Sequence, residues 1–153
     1  MLDLVRFLTG EEVSTVRCTM DVLPSAGPEA SAAVDLTTGG GTVCRIEIAR
    51  VAAGRVGRAV WSGSQGQLEA DWGQRWLHCS DETGTTDFDL PPAQTVLATL
   101  TAFLQAVNDD TPMPITGADG FRAVEMAEAC YRSARDGGAS VTLPVLPSHS
   151  ATM

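Results

Sequence analysis

The stretch 114–144, PITGADGFRAVEMAEACYRSARDGGASVTLP, decides how this chain is read. An Asp-Gly pair near its start opens an amphipathic helix, Gly137-Gly138 stops it, and SVTLP follows as a short strand. The helix is expected to run from about Asp119, as its N-cap, to Arg135. Its expected inner stripe is Ala123, Val124, Ala127, Tyr131 and Ala134, mostly small residues that suit close packing on a sheet. The rest of the chain must supply that sheet.

Moving outward, NDDTPMPITG separates this helix from another before it. Pro91-Pro92 suit a first helical turn, and Val96, Leu97, Leu100, Phe103, Leu104 and Val107 form one stripe at helical spacing. Further upstream the period falls to two. In VSTVRCTMDVL, the set Val16, Cys18, Met20 and Val22 alternates with Thr15, Arg17, Thr19 and Asp21. PSAGPE reads as a turn. ASAAVDLTT and TVCRIEIARVA flank Gly39–Gly41, a hairpin signal because glycine tolerates positive φ. RAVWSGS, QLEADW and QRWLHCS continue as short strands separated by Gly66 and Gly73, and DETGTTDFDLPP reads as a loop with one edge strand. At the N-terminus, LDLVRFLT reads as a short helix closed by Gly10, with Leu4, Val5 and Leu8 on one side. Many consecutive strands followed by two helices imply an α+β fold: an open, mostly antiparallel β-sheet of about six to eight strands with helices packed on one face. Residues 1–146 are expected to form a single domain, and 147–153 a flexible tail.

Composition narrows the classes of function. A chain of 153 residues buries roughly 70% of its unfolded surface, enough for a core. It is 44% hydrophobic, but no apolar run reaches a membrane span, and the N-terminus lacks the basic start and cleavage site of a signal peptide. A cytoplasmic protein is expected. The net charge of −9 argues against nucleic acid, whose phosphates need a cationic footprint. All ten basic residues are arginine, so no Schiff base and no lysine proton donor can come from this chain. Cys18, Cys44, Cys79 and Cys130 are far apart and lie in apolar patterns, as buried thiols in a reducing compartment do.

Two helices cover one side of such a sheet. If the alternation holds, Arg17, Asp35, Arg45, Glu47, Glu69, Asp71, Trp76 and His78 point to the other side. The set mixes both charge signs with an aromatic. It serves either as a solvated face or as a substrate-binding or subunit interface, where Arg and Trp are enriched.

Three stretches resemble the second domain of the glucose–fructose oxidoreductase / inositol dehydrogenase / rhizopine-catabolism (Gfo/Idh/MocA) family. LDLVRFLTGEEVSTV resembles its leucine-rich turn and first strand. WSGSQGQLEAD resembles its Gly-Ser/Thr-x-Gly-x-Leu hairpin through Gly63, Ser64, Gly66 and Leu68. The stretch 114–144 resembles its closing signature through Asp119, Gly120, Ala129, Ser133 and Ala134. The resemblance covers nearly the whole chain. It implies an open sheet with helices on one side, a dimer built on the exposed sheet face, and a sugar or polyol pocket shaped by the sheet edge and nearby loops. It also implies NAD or NADP on a separate N-terminal dinucleotide-binding domain.

The departures from the family pattern bear on function. No G-x-G-x-x-G occurs after a strand, so no cofactor-binding residue is assigned in this chain. The family's Glu-Lys-Pro motif is impossible without lysine, and its Asp-x-x-x-His pair is followed by an Asp that Asp3 matches, which places the histidine one residue before Met1. By this reading the chain is the substrate-binding and dimerising half of a sugar/polyol-type nicotinamide oxidoreductase, a truncated product or one partner of a split enzyme, and is inactive in hydride transfer alone. Its partners would be a second copy through the open sheet face, or a dinucleotide-binding domain encoded elsewhere, and a small-molecule substrate. The alternatives are a stand-alone cofactor-independent cyclase or isomerase using an enclosed pocket lined by Trp61, Trp72 or Trp76, and a non-catalytic interaction module. His78 lacks evident converging partners, and Glu69 and Asp71 lie about 7 Å apart on one strand face. No catalytic residue and no metal site are assigned.

Overall fold

In the computed structural model, residues 2–22, 29–50 and 57–144 are described. The expected turn PSAGPE falls mostly outside them, and the expected tail wholly so. In chain order the elements are α1 (Leu2–Thr9), β1 (Val13–Val22), β2 (Glu29–Thr38), β3 (Val43–Ala49), β4 (Arg58–Gly63), β5 (Gly66–Asp71), β6 (Trp76–Asp81), β7 (Gly84–Asp89), α2 (Thr95–Asn108), α3 (Gly117–Arg135) and β8 (Val141–Thr142). Every strand pairing is antiparallel, which makes the expected α+β class. The eight strands form two four-stranded sheets, ordered β3-β2-β1-β8 and β4-β5-β6-β7. The chain divides into two compact units, residues 1–51 with 115–153, and residues 52–114.

In the first unit, the alternation along β1 buries Val16 and Cys18 and turns Arg17 and Thr19 outward. Val34 and Leu36 of β2 and Ile46 of β3 continue the buried face. α3 packs on this face through Met126, Ala129, Cys130 and Ser133, and Val5 of α1 completes the core. The seated stripe is therefore not the expected one: Val124 is 67% exposed and Tyr131 43%. Arg122 sits on the buried stripe and hid it from a purely apolar reading. The N-cap also moves, from Asp119 to Thr116. Thr116 Oγ1 accepts from the Asp119 N–H, and the Asp119 carboxylate takes the Thr116 N–H at 2.8 Å, a reciprocal capping box. Gly137 and Gly138, at φ +68° and +84°, close the helix as expected, with the Gly138 N–H donating to Ser133 O at 2.8 Å.

In the second unit, β4 and β5 meet at the pair Gly63–Gly66. Gly66 has φ +144°, and a Cβ there would lie 2.2 Å from Ser80 O on β6, so only glycine fits this corner. The stretch DETGTTDFDLPP, expected to be mainly loop, supplies a full edge strand, β7, paired to β6 over Trp76–Asp89 to Asp81–Gly84. Alternation gives this sheet an apolar side, with Trp61, Leu68, Leu77 and Phe88, and a polar side. Among the described residues of this unit only Gly57 and Ala106 are buried. The apolar stripe of α2 exists as expected, yet each of its six large residues is between 51% and 72% exposed.

Candidate functional site

The eight candidate residues separate into two groups of four, one on each sheet. On the first sheet, register places Arg17 opposite Asp35 and Asp35 opposite Arg45, a row of alternating charge across β1, β2 and β3. Glu47 stands two residues farther along β3, on the same side. All four are exposed on the face away from α3. Arg45 donates to Glu47 Oε1 at 3.0 Å and to Asp35 Oδ1 at 3.4 Å. Arg17 donates through Nε to the Gly138 carbonyl at 3.2 Å.

On the second sheet, register stacks Glu69, His78 and Asp87 in one cross-strand row and Asp71, Trp76 and Asp89 in the next, with Arg58 opposite Asp71. Directly opposed side chains approach closely enough to interact, and here they do. His78 Nδ1 lies 2.5 Å from Asp87 Oδ1, and the His78 and Trp76 rings are 4.1 Å apart between centroids. With a carboxylate as its partner, Nδ1 carries the proton of the neutral ring and donates it, which leaves Nε2 as the acceptor. The Arg58 guanidinium stands 5.9 Å over the Trp76 ring and donates to Glu69 Oε2 at 2.7 Å. Gln67 donates to the other Glu69 oxygen at 2.9 Å, and Trp76 Nε1 to Gln74 Oε1 at 3.2 Å. A half-buried aromatic pair is thus rimmed by four carboxylates and one guanidinium. Such a surface offers aromatic area for a ligand's C–H groups and carboxylate acceptors for its hydroxyl groups.

Arg58, Asp87 and Asp89 belong to this face and were not among the candidates. The Asp87/Asp89 alternation in GTTDFD is the signal that marks the two carboxylates, within the stretch expected to be a loop with one edge strand. The tryptophans do not converge: Trp61 lies on the opposite side of the sheet from Trp76, and Trp72 packs its ring on Gly57. The open groove along the start of α2, lined by Ala93, Gln94, Val96, Leu97 and Leu100, includes no tryptophan. Among the described residues the three tryptophans therefore do not line one common pocket.

A second polar cluster, at the junction of α1, β1 and α3, was also missed. Arg6 bonds Asp3 at 2.7 Å, Glu12 through both oxygens at 2.7 and 3.0 Å, and Asp119 at 3.2 Å. Arg122, 3% exposed, bonds Glu125 and, at 3.0 Å, the Pro144 carbonyl. Its Nε lies 3.3 Å from Glu12 Oε2 but is poorly aligned, so that contact is Coulombic rather than a hydrogen bond. The Arg6 guanidinium holds Glu12 below its ordinary range, and Asp119 is held down first by the Thr116 N–H, then by the Thr116 hydroxyl.

A nicotinamide dinucleotide finds no fit among the described residues. Its pyrophosphate needs free N–H groups at a helix start that follows a glycine turn. The α3 start is filled by the Asp119 carboxylate, and α1 begins with Asp3 in its first turn. α2 follows Pro91-Pro92, with no cation between residues 90 and 99. Among the described residues no group of three His, Cys, Asp or Glu side chains is placed to hold a metal, and no helix is long and apolar enough to cross a membrane.

Comparison with known proteins identifies the family and the fold. A family model described as "Oxidoreductase family, C-terminal alpha/beta domain" matches residues 1–143. No curated protein sequence matches. Among solved structures, the chain is similar to UDP-N-acetylglucosamine 3-dehydrogenase from Acidithiobacillus ferrooxidans (26% identity, TM-score 0.76, 87% of this chain and 43% of that one). It is also similar to aldose-aldose oxidoreductase from Caulobacter crescentus in complex with glycerol (22%, TM-score 0.82, 93% and 44%). A third is an oxidoreductase from Agrobacterium radiobacter in complex with NAD+, L-tartaric acid and magnesium (22%, TM-score 0.80, 92% and 46%). The chain spans less than half the length of each. With the family model covering nearly all of it, the chain belongs to the Gfo/Idh/MocA oxidoreductase family, as a C-terminal domain of that family.

Proposed function

We propose that the chain is the substrate-binding and self-associating half of a nicotinamide-dependent oxidoreductase acting on a sugar or polyol, and is not competent for hydride transfer by itself. The observation that carries this reading is the family match over residues 1–143, with similar structures more than twice the chain's length. The chain's own chemistry is consistent with it. It has no lysine, and its described helix starts are closed or unsuited to a pyrophosphate, which supports assigning NAD or NADP to a separate dinucleotide-binding domain. The Trp76–His78 pair, with Glu69 and Asp71 beside it, is the part suited to a polyhydroxylated ligand: the rings take its C–H face and the carboxylates accept from its hydroxyls. Asp87 fixes the His78 ring and leaves Nε2 to accept a hydroxyl proton.

A fluorescence titration tests this. Glucose, sorbitol, glycerol and myo-inositol are added to the purified chain up to roughly 50 mM, a range suited to weak sites. At least one is expected to change tryptophan emission saturably, and Trp76→Ala to abolish the change. A flat response to all four in the wild-type chain contradicts the substrate-binding assignment.

A further inference from the structure

Cys18 of β1 and Cys130 of α3 meet in the core of the first unit, and the proposed function uses neither. Their approach follows from the helix. Residues three apart share a helix face, so Cys130 lies one turn before Ser133 on the side that seats on the sheet. Ser133 Oγ accepts from the Cys18 N–H at 2.8 Å, which fixes that turn beside Cys18. Ala129 and Ser133, both fully buried, are small enough to let the helix backbone come close. Alternation along β1 points the Cys18 side chain at α3, where the two thiols meet. Cys130 donates to Cys18 Sγ, and Cys18 donates to the Thr19 carbonyl at 3.7 Å. Both are free thiols, 1% and 4% exposed.

We propose that Cys18 and Cys130 are a disulfide-forming pair, and that a low-molecular-weight disulfide such as oxidised glutathione cross-links β1 to α3 through them. One cysteine thiolate attacks glutathione disulfide and expels one glutathione thiolate. The second cysteine thiolate then attacks the protein sulfur of the mixed disulfide, forming the Cys18–Cys130 S–S bond and expelling the other glutathione. Two protein S–H bonds are lost and their protons pass to the two glutathione thiolates. The protein sulfurs are oxidised as one glutathione disulfide is reduced. Burial pushes both thiols up, Cys130 to about 12, so exchange needs α3 to lift from the sheet, and the closed fold then shields the product. Cys44 does not compete for Cys18 in the folded chain. It stands on β3, two strands from β1 and roughly 10 Å away, beyond the reach of a disulfide. The bridge closes a loop that takes in β2 to β7 and α2, and long loops give the largest stabilisation.

Incubating the full chain with oxidised glutathione, in urea just below its unfolding transition, tests the inference, because α3 then opens and re-closes. Free thiols are blocked and the disulfides mapped by mass spectrometry of peptides. Cys18–Cys130 is expected as the predominant protein disulfide. It is expected to raise the thermal unfolding midpoint at least about 5 °C above that of the reduced chain, and dithiothreitol to reverse the rise. A chain carrying Cys44→Ser and Cys79→Ser is expected to show the same rise, and Cys130→Ala to show none. Where Cys130→Ala does not fold, the mapped bridge and its reversal decide. Cys18 and Cys130 that stay reduced or carry only glutathione overturn the inference, as does either one pairing mainly with Cys44 or Cys79. A Cys18–Cys130 bridge that fails to raise the midpoint also overturns it, since the fold would then not hold the two sulfurs ready to join.

Discussion

Arg122 is the most buried charged group described, and three elements depend on it. Its guanidinium ties α3 to Glu125 and to the Pro144 carbonyl after β8, and its charge faces Glu12 at the start of β1. Replacing it with methionine keeps the approximate volume but leaves the partly buried Glu125 without its arginine and Glu12 with one counter-charge instead of two. A loss of about 2–4 kcal/mol in urea unfolding is expected, toward the smaller end because Glu12 remains partly exposed and keeps Arg6. The same cluster sets a pH dependence. Glu12 and Asp119 have folded values below their ordinary 4.5 and 3.8, so they bind fewer protons folded than unfolded. Their contribution is complete above those ordinary values and is lost as pH falls through the lowered folded ones. Unfolding midpoints should be level from neutrality down to about pH 5 and drop below about pH 4, with Asp119→Asn less stable at neutral pH and less sensitive to acid. None of this cluster was legible in the sequence. Its members lie at positions 3, 6, 12, 119, 122 and 125, and only the packing of α1 beside α3 joins them.

At the scale of elements, patterns that depend on neighbours in sequence were readable and those that depend on packing were not. The period-two stretches gave β1 through β6, and the glycine stop of α3 sits where it was expected. The choice between two small-residue stripes on α3 is made by the sheet, and a polar Arg122 on the buried stripe argued for the wrong one. The capping box shows the same limit: Thr116 and Asp119 both suit an N-cap, and the reciprocal bonds decide for Thr116. Thr116→Ala is expected to cost about 1 kcal/mol, read by thermal unfolding. Gly66→Ala tests the β4–β5 corner more severely. The added methyl meets the Ser80 carbonyl and the φ is unfavourable, so a loss of about 2 kcal/mol or more is expected, and an unchanged midpoint would refute the close approach. The candidate residues followed the same rule. Alternation puts Arg17, Asp35, Arg45 and Glu47 on one side of the first sheet and Glu69, Asp71, Trp76 and His78 on one side of the second, while Asp87, the partner of His78, lies in the edge strand of a stretch expected to be mainly loop.

For the molecule as a whole, the cysteines report on the core. Cys18 and Cys130 are buried, and burial pushes the Cys130 thiol up to about 12. Only Cys44 and Cys79 should react with a thiol reagent in the native chain, and all four after denaturation. The proposed function is a division of labour, in which this chain would supply surfaces for a substrate and a second copy while the nicotinamide would be held by a separate domain. Calorimetric titration of the chain with NADH and NADPH tests that division most directly. No saturable heat is predicted up to about 1 mM of either nucleotide, whereas one-to-one binding tighter than about 100 μM would place a dinucleotide site in this chain and contradict the account.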